Sequence, residues 1–600
     1  MFGFHQKYLK IDVESGSFQE VPISTKILRK FIGGVGLGAW ILFKESKQGS
    51  DSLSPGAPLI FCFSPLVGTP LTTSAKFAVL AKSPLTNRIS DALSSSHFAI
   101  EGKKTGFDAI VITGRSKTKK VVVIEDGKVT LQDAEDLQGL SAIAASEKLK
   151  EKLGVGYQIA SIGIAGENQV LFANLSHERR HAGRGGLGAV LGSKNIKAIA
   201  VKGSLRIPVA APAKLVEKAR ELSAKSFGPA TAKYRELGTV SNLLVFNRLS
   251  VLPTRNFQEG HFKPIVSQNF QDVETASKVT RHSCAACTIG CEHIYQGKQG
   301  KVRIEYESMF ALGSLCGIEN PDEVAEIVGL CDDFGLDTIS TGGTIAFAME
   351  CVEKGLLDEP WLRFGDGEAV KKAVTLIAGR KGIGEILSLG SRQAAQLIGQ
   401  GSIAFAPQVK GLEIPGYEPR GLQTMALGLA VASRGADHNR SGAYEADFSP
   451  DSGRLIDDAD FARSAADSEN RSALIDSLIL CKFLRGIFTD FFAESTELLS
   501  LVTGWEFNEG ELKTAAERVV AIKKLFNIRE GWDCSEDTLP ERFFTQALET
   551  LSGGVRTLSK LTLQNRIKAY YKIRNWDEDG KIGAQELNRL GLDDLFEVVT

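Results

Sequence analysis

At 600 residues the chain is too long for one hydrophobic core and implies about three domains. Its hydrophobic share of 43% and charged share of 24% are those of a soluble globular protein, and a net charge of -1 leaves no electrostatic case for nucleic acid or an anionic membrane. Glycine is abundant, at 61, and proline modest, at 18, a balance that suits tight turns and close backbone approaches rather than disorder.

Nine cysteines over this length are too sparse for a secreted disulfide scaffold. Cys62, Cys316, Cys331 and Cys351 stand in apolar surroundings and read as core thiols, while Cys534 lies in a polar stretch. The opening MFGFHQKYLKIDV lacks the charged and apolar regions of a signal peptide, and no apolar run reaches membrane-spanning length. The expectation is a cytoplasmic protein without membrane insertion.

Residues 1–206 read as a β-rich first domain. KYLKIDV, PLIFCFSPL, KFAVLAKSP, DAIVITG, KVVVIED, YQIASIGIAG and NIKAIAVKG are strand-like in β-branched content and turn-bounded length. Helical pieces such as LSAIAASEKLKEKLG lie between them. Two glycine-rich stretches fall in this region. IGGVGLGAW carries Gly33, Gly34, Gly36 and Gly38, but it follows the helix-like STKILRKF, so the strand-first context of a dinucleotide site is missing and a structural turn is expected. ERRHAGRGGLGAVLG interleaves Arg179, Arg180 and Arg184 with Gly183, Gly185, Gly186 and Gly188. Arginine is a bidentate phosphate donor and glycine lets backbone N–H groups approach an anion, so this stretch is expected to bind phosphate; a solvated basic loop is the alternative.

Near residue 206, RIPVAAPAKL marks a boundary. Residues 207–413 read as a helical domain, with 3.6-residue periodicity in VEKARELSAKSF, NPDEVAEIVGLCDDFG, GTIAFAMECVEKG and EAVKKAVTLIAGRKG. Inside it, SCAACTIGC places Cys284, Cys287 and Cys291 in a C-x-x-C-x-x-x-C run. Thiolates this close can wrap an iron–sulfur cluster, zinc or copper(I). A cubane wants four thiolates, so the run is one short; a zinc site would recruit His282 or His293 instead. Gly290 suits a tight turn around a cluster. Farther on, Glu305 or Glu307 is a candidate helix N-terminal carboxylate, and Asp332, Asp333 and Asp337 with Gly342 and Gly343 mark a turn at a helix end.

Residues 414–600 form a second helical domain. His438 stands beside Asp437, between Arg434 and Arg440, and is a proton-transfer candidate set against a hydrogen-bonded structural histidine. Asp476 precedes Cys481 in the apolar SALIDSLILCKFLRGIF, which makes Cys481 the candidate remote fourth thiolate. DDFGLD from Asp332 and DSLILC from Asp476 hint at a repeat. Near the end, Asn575, Asp577, Asp579, Gly580, Ile582 and Glu586 follow a calcium-loop pattern, but Asn stands at the first position and no second loop is present to pair with it, so a polar turn between helices is expected.

Taken together, FIGGVGLGAW, AKSPLTN, GFDAIVITG, AGENQVLFAN, HAGRGGLGAVLGSKNIKAIAVKG, CAACTIGC, EYES, DDFGLDTISTGG, YEPRG, SRGADH, DTLPERF and YYKIRNWDEDGKI give a sequence that resembles, from end to end, the tungsten-containing aldehyde:ferredoxin oxidoreductases. The resemblance implies an α+β protein: a β-sandwich-like base carrying two pterin dithiolenes around tungsten or molybdenum, closed over by two helical domains. It implies one [4Fe–4S] cluster on Cys284, Cys287, Cys291 and Cys481. It also implies pterin contacts on Lys76, Arg180, His181, Ala182, Gly183, Arg184, Asp332, Leu336, Asp337, Arg434, Arg440, Asp476 and Leu480.

A Mg2+ bridging the pterin phosphates would meet backbone carbonyls at Leu93 and Ser95, within SDALSSSH, where the family usually has a D-S-N-x-G-G type turn. The catalytic pair would be Glu307 and His438. The implied reaction is oxidation of an aldehyde to an acid, with electrons passing to ferredoxin or to an Fe–S or flavin electron-transfer subunit.

The sequence departs from the family pattern at three places. Lys76 replaces a usual Arg and loses the planar fork. Ile479 replaces a usual Gly in the second pterin signature, which would weaken the backbone approach there. The Glu-x-x-His pair that bridges some dimers reads Glu326, Ile327, Val328, Gly329, so an oligomer is open but a metal-bridged dimer is not implied. The alternatives are reduction of aromatic acyl-CoA thioesters and a non-catalytic relative holding zinc or an Fe–S cluster.

Overall fold

A computed structural model describes residues 1–268, 278–297 and 300–598. The first 202 residues build two six-stranded sheets. The first sheet contains β1 (Lys7–Asp12), β2 (Ser17–Pro22), β3 (Leu59–Cys62), β4 (Lys76–Lys82), β5 (Ile89–Ser95) and β6 (Ala109–Thr113), in the order β2-β1-β6-β3-β4-β5. Only β1 and β6 pair in parallel; the other neighbours are antiparallel. The second sheet contains β7 (Lys120–Glu125), β8 (Lys128–Asp133), β9 (Gln158–Ser161), β10 (Leu175–His177), β11 (Arg180–Ala182) and β12 (Ile196–Lys202), in the order β11-β10-β9-β12-β7-β8. Strands β3 and β6 are apolar runs because both of their faces are covered, and β12 is buried along most of its length with Lys197 paired to Glu167.

The strand-rich reading of this region holds, with one correction. SDALSSSH is not a turn: it is most of β5, in register with β4 through Leu80↔Asp91, Ala78↔Leu93 and Lys76↔Ser95. Its Ser and Asp residues are buried rather than solvated, which is why the stretch lacks a strand signature. Glu178 and Arg179 both adopt positive φ and close β10 and β11 into a two-residue hairpin, so the Arg/Gly stretch opens on a tight turn and continues as strand β11.

From Pro212 onward helices dominate, as expected. A three-stranded antiparallel sheet interrupts them: β13 (Lys278–His282), β14 (Glu292–Gly297) and β15 (Gly300–Arg303). The cysteine run is the β13–β14 connection. Gly342 and Gly343 lie inside the helix Thr338–Glu353 rather than in a turn; a Cβ on Gly342 would stand 2.1 Å from the Ala311 carbonyl, so glycine lets the helix Tyr306–Leu312 pack closely. The loop at Asn575–Glu586 is a self-capped turn: Asp577 Oδ1 accepts from the Asp579 and Lys581 amides, and Glu586 is held by Arg589 and Asn575. Among the described residues no helix is long and apolar enough to cross a membrane.

The hinted repeat is real in backbone geometry. The helix Pro321–Phe334 ends at Gly335 in the left-handed region, and the Gly335 and Leu336 amides both donate to the Cys331 carbonyl. The helix Asp458–Leu478 ends the same way at Ile479, φ 64, whose amide and that of Leu480 both donate to the Ile475 carbonyl. Ile479 thus keeps the glycine-like conformation of Gly335, at the strain cost of a β-branched residue with positive φ.

Each copy rests on a glycine of one sheet region. A Cβ on Gly163 would meet the Phe334 carbonyl at 2.3 Å, and one on Gly34 would meet the Asp476 carbonyl at 2.4 Å. IGGVGLGAW is thus the seat of the Asp476–Cys481 segment, with the Gly36 amide donating to Ser477 Oγ. Gly34→Ala, at φ +46 and in contact, is expected to lower stability by about 2 kcal/mol or more. Gly453→Ala, which meets nothing within 4 Å, should leave it unchanged. Chemical denaturation of the two variants measures the difference.

Candidate functional site

Cys284, Cys287, Cys291 and Cys481 are half-buried, unlike the buried Cys62, Cys316, Cys331 and Cys351. They converge from two distant segments onto residues 72–73, in the turn ahead of β4, and 95–96, at the end of β5. The Thr73 amide donates to the Ala286 carbonyl (2.5 Å) and the Ala285 amide donates to Ser96 Oγ (2.6 Å). Cys284 Sγ lies 3.3 Å from Ser95 Oγ, and the Cys481 amide donates to Thr73 Oγ1 (3.2 Å). Ala286 and Gly290 take positive φ to fold the loop back on itself.

Burial, reinforced by Cys481, pushes the Cys287 thiol up to about 11, and Cys291 is raised well above the usual range by burial and then by Cys481. The thiols lie within one another's electrostatic reach, although among the described residues no group of three or more His, Cys, Asp or Glu side chains is drawn together closely enough to hold a metal ion. The histidines weighed for zinc point elsewhere: His282 is exposed and His293 Nε2 bonds to the Arg235 carbonyl (3.2 Å).

Beside the thiols, cations gather along the free edge of β5. The Asp91 carbonyl accepts from Arg434 and from Arg440 Nε (3.3 Å) and Nη2 (3.2 Å). Because alternate residues of a strand present their carbonyls to the same side, Leu93 and Ser95 also direct theirs away from β4. The Asp91 carboxylate pairs with Arg440 (2.9 Å) and Lys523 (3.3 Å). The Asp437 carboxylate caps its helix through the Asn439 and Arg440 amides and pairs with Arg434 and with Arg184 (3.4 Å). Burial alone would raise the Asp437 carboxyl, but Arg434 first, then His438 and Arg184, hold it well below the usual carboxylate range. Asp476 pairs with Arg440 (2.5 Å) and Lys482 (3.6 Å). Half-buried Lys76, at the start of β4, is disfavoured by burial, but the fields of Cys481, Cys284 and Asp476 outweigh this and raise it.

On the other side, His181 Nε2 meets Asp332 Oδ1 at 3.1 Å while its Nδ1 meets Ser176 Oγ at 2.5 Å. Arg184 Nε lies 3.5 Å from Asp337. Arg180 is engaged by Glu292 of β14, and Ala182 pairs with Leu175. Leu336 and Leu480 are buried, and the Leu336 carbonyl accepts from Asn174 Nδ2.

The glycines of the stretch divide in role. Cβ atoms on Gly185, Gly186 and Gly188 would stand 2.0 Å from Ser90 Oγ, 2.2 Å from the Leu171 carbonyl and 2.1 Å from the Asn174 carbonyl. At these three positions glycine is required because neighbouring protein atoms leave no room for a Cβ. Gly183 alone is roomy, with Asp337 Oδ1 at 3.8 Å.

Glu307, in the first turn of the helix Tyr306–Leu312, accepts the Gly416 amide on Oε2 (3.1 Å). Its Oε1 lies 3.6 Å from His438 Nε2. Burial pushes the Glu307 carboxyl up to about 8, and burial pushes the His438 imidazole down to about 3. At neutral pH the two are therefore mostly an uncharged acid and an uncharged imidazole, not an ion pair. Asn439 Nδ2 donates to His438 Nε2 (2.8 Å), which leaves the ring proton on Nδ1. Tyr417 stacks on the imidazole with ring centres 5.1 Å apart.

Several buried polar atoms here make no hydrogen bond: Arg434 Nε, Asp91 Oδ1 and His438 Nδ1, and also Arg184 Nε, Lys482 Nζ and Glu307 Oε1, which have only longer ionic contacts to Asp337, Asp476 and His438. Buried polar atoms normally find partners. Donor and acceptor atoms without hydrogen bonds, set among several cations, suit a polar group that bears negative charge. Asp91, Lys482, Lys523, Asn439, Tyr417 and Thr73 escaped the sequence reading. Lys482 adjoins Cys481 and could have been singled out; Lys523 and Thr73 carry no local signal.

Two family profiles together span the chain. One, described as aldehyde ferredoxin oxidoreductase, N-terminal domain, matches residues 8–203; the other, described as domains 2 & 3 of the same enzyme, matches residues 214–592. The tungsten-containing aldehyde ferredoxin oxidoreductase of Pyrococcus horikoshii is 35% identical over 620 residues, covering 99% of this chain and 100% of the relative. A Pyrococcus furiosus protein described as aliphatic sulfonate oxidoreductase, WOR-like subunit, is 29% identical, covering 99% and 97%. Among solved structures, the active site complex of benzoyl coenzyme A reductase with 1,5-dienoyl-CoA shares the fold at a TM-score of 0.85 and 24% identity, over 100% of this chain and 98% of that one.

Replacing Cys481 by Ala is expected to lower the metal content of protein purified without oxygen, whereas Cys316→Ala, a core thiol, should keep it. Elemental analysis decides; an undiminished metal content in Cys481→Ala would remove the fourth thiol from the site.

Proposed function

The chain belongs to the aldehyde ferredoxin oxidoreductase family, and from that premise we propose that it oxidises aldehydes to carboxylic acids with a tungsten (or molybdenum) bis-pterin and one [4Fe–4S] cluster. The observation that carries the reading is the Glu307–His438 pair: two titratable groups 3.6 Å apart whose environments drive the carboxyl up to about 8 and the imidazole down to about 3. The balanced reaction is aldehyde plus water to carboxylic acid, two protons and two electrons. Ferredoxin, or an Fe–S or flavin electron-transfer subunit, takes the electrons one at a time.

The pterins would be held by Lys76, the Arg180–Arg184 stretch, Asp332, Leu336, Asp337, Arg434, Arg440, Asp476 and Leu480. Mg2+ would meet the outward carbonyls of Leu93 and Ser95. The cluster would be held by Cys284, Cys287, Cys291 and Cys481. When bound, the tungsten–pterin group supplies a two-electron acceptor.

The protein's own residues handle the protons. Glu307 has a pKa close to the working pH, so its ionised fraction accepts a proton from the water that adds to the carbonyl carbon. His438 is neutral and its Nδ1–H is free, so it donates to the carbonyl oxygen as negative charge develops there. The Gly416 amide fixes the Glu307 carboxylate, while Asn439 and Tyr417 fix the ring.

Anaerobically purified protein is expected to carry one tungsten or molybdenum and about four irons per chain and to reduce a viologen dye when given an aldehyde. Zinc alone, without tungsten, molybdenum or iron, would overturn the reading. For the catalytic pair, kcat/KM should rise with pH and level off above about 8, because the ionised carboxylate is the active form. Glu307→Gln is expected to lose that rise and about 100-fold in rate or more, with unchanged metal content. His438→Ala should lose about 100-fold and keep the rise. A rate that falls through pH 8 in the wild type would sink the base assignment.

A further inference from the structure

The cysteine loop has an outer side that the proposed chemistry does not use. Arg281, His282, Ser283 and Ala286 are exposed, while the thiols behind them are half-buried. Electrons that reach this loop stand next to solvent here. The helices Pro212–Ser226 and Pro229–Glu236 form the adjoining rim. Ser226 Oγ hydrogen-bonds Thr288 of the loop, and Arg281 Nη1 donates to the Arg235 carbonyl (3.3 Å). Tyr234 stacks on Phe483 with centres 4.0 Å apart, and Cys481 and Cys291 lie within its electrostatic reach, so the second helix covers the thiols' flank.

This rim departs from an ordinary surface in two ways. Phe227 is 59% exposed and Leu237 45% exposed, large apolar side chains at either end of the second helix. Lys233, Arg235 and Arg281 are cations of the same rim; the second helix carries one acid, Glu236, and the first carries Glu217 and Glu221 beside Lys214, Lys218, Arg220 and Lys225. The Arg235 guanidinium lies 4.4 Å over the Phe227 ring, and Lys233 reaches Asn242 rather than a carboxylate. The chain as a whole has a net charge of -1, so this local excess is a feature of the rim and not of the composition. Exposed apolar anchors ringed by one sign of charge mark an interaction surface for a partner of the opposite sign.

We propose that the rim formed by Phe227, Lys233, Arg235, Leu237 and Arg281 is the docking surface for an acidic iron–sulfur electron carrier, seated over the exposed side of the cysteine loop. The proposal rests on the reading above, because that reading supplies the electrons. Each docking event transfers one electron out, so two oxidised carriers are reduced for each aldehyde converted. Charge complementarity sets the encounter rate and makes it sensitive to salt, while the apolar pair fixes the docked orientation.

The experiment uses the holoenzyme, an acidic ferredoxin and, separately, benzyl viologen as acceptor. The variants are Arg281→Glu and Lys233→Glu, singly and together. The double variant is expected to raise the ferredoxin Kd and the ferredoxin KM at least tenfold and to flatten their salt dependence. Its iron content, unfolding midpoint and viologen-coupled kcat should stay at wild-type values. A ferredoxin Kd and salt slope unchanged by the double variant would overturn the proposal. A wild type that binds ferredoxin through these cations yet never reduces viologen with an aldehyde would overturn the aldehyde reading and support the surface, because the binding titration needs no turnover.

Discussion

One strand edge governs the assembly of the site. β5 ends its sheet, and an unpaired edge must be covered or satisfied. Here the Asp91 carbonyl and carboxylate gather Arg434, Arg440 and Lys523, which arrive from sequence positions more than three hundred residues away. Buried charges are tolerable only when paired and hydrogen-bonded, and removing one partner of such a pair costs about 3–5 kcal/mol. The same arginines then bind Asp437 and Asp476, so helix caps from the C-terminal region are fixed in relation to the first sheet. Arg184 Nε, Arg434 Nε and Lys482 Nζ are left without hydrogen bonds in this network, the first and last holding only longer ionic contacts to Asp337 and Asp476.

The two signature copies show how backbone, rather than side-chain identity, positions chemistry. Each is a helix C-terminus with a left-handed cap, laid onto a glycine that leaves no room for a Cβ. Gly335 supplies that cap without strain; Ile479 supplies it while filling a buried space beside Gly34. The residue type differs and the geometry does not, because the capping hydrogen bonds and the seat over-determine the conformation. Thr73, with a positive φ of its own, then ties Cys481 and the β13–β14 loop to the same sheet, so thiols from two segments meet at one place.

The acid–base pair depends on this closure. Glu307 and His438 would be ordinary carboxylate and imidazole on a surface. Desolvation moves their pKa values in opposite directions, since each loses its charged form to burial. Burial sets both directions, and on Glu307 it outweighs the Gly416 amide, which favours the ionised carboxylate.

The sequence by itself determined much of this protein. Local signals sufficed for the apolar strands β3, β6 and β12, for the periodic helices, for the four core thiols, for the C-x-x-C-x-x-x-C run and for the carboxylate at the start of the helix Tyr306–Leu312. Each is a pattern written within a few consecutive residues, where 2.0 or 3.6 periodicity and ligand spacing act directly. The tertiary structure alone decided that SDALSSSH is a buried strand, because Asp91 is met by distant arginines and Ser90, Ser95 and Ser96 by Arg184, Cys284 and Ala285. It also decided that Gly185, Gly186 and Gly188 pack against protein, since only the folded chain shows what a Cβ would strike. And it gave Lys482, Lys523, Asp91 and Thr73 their places, because hydrogen bonds across hundreds of residues leave no imprint on the neighbours of either partner.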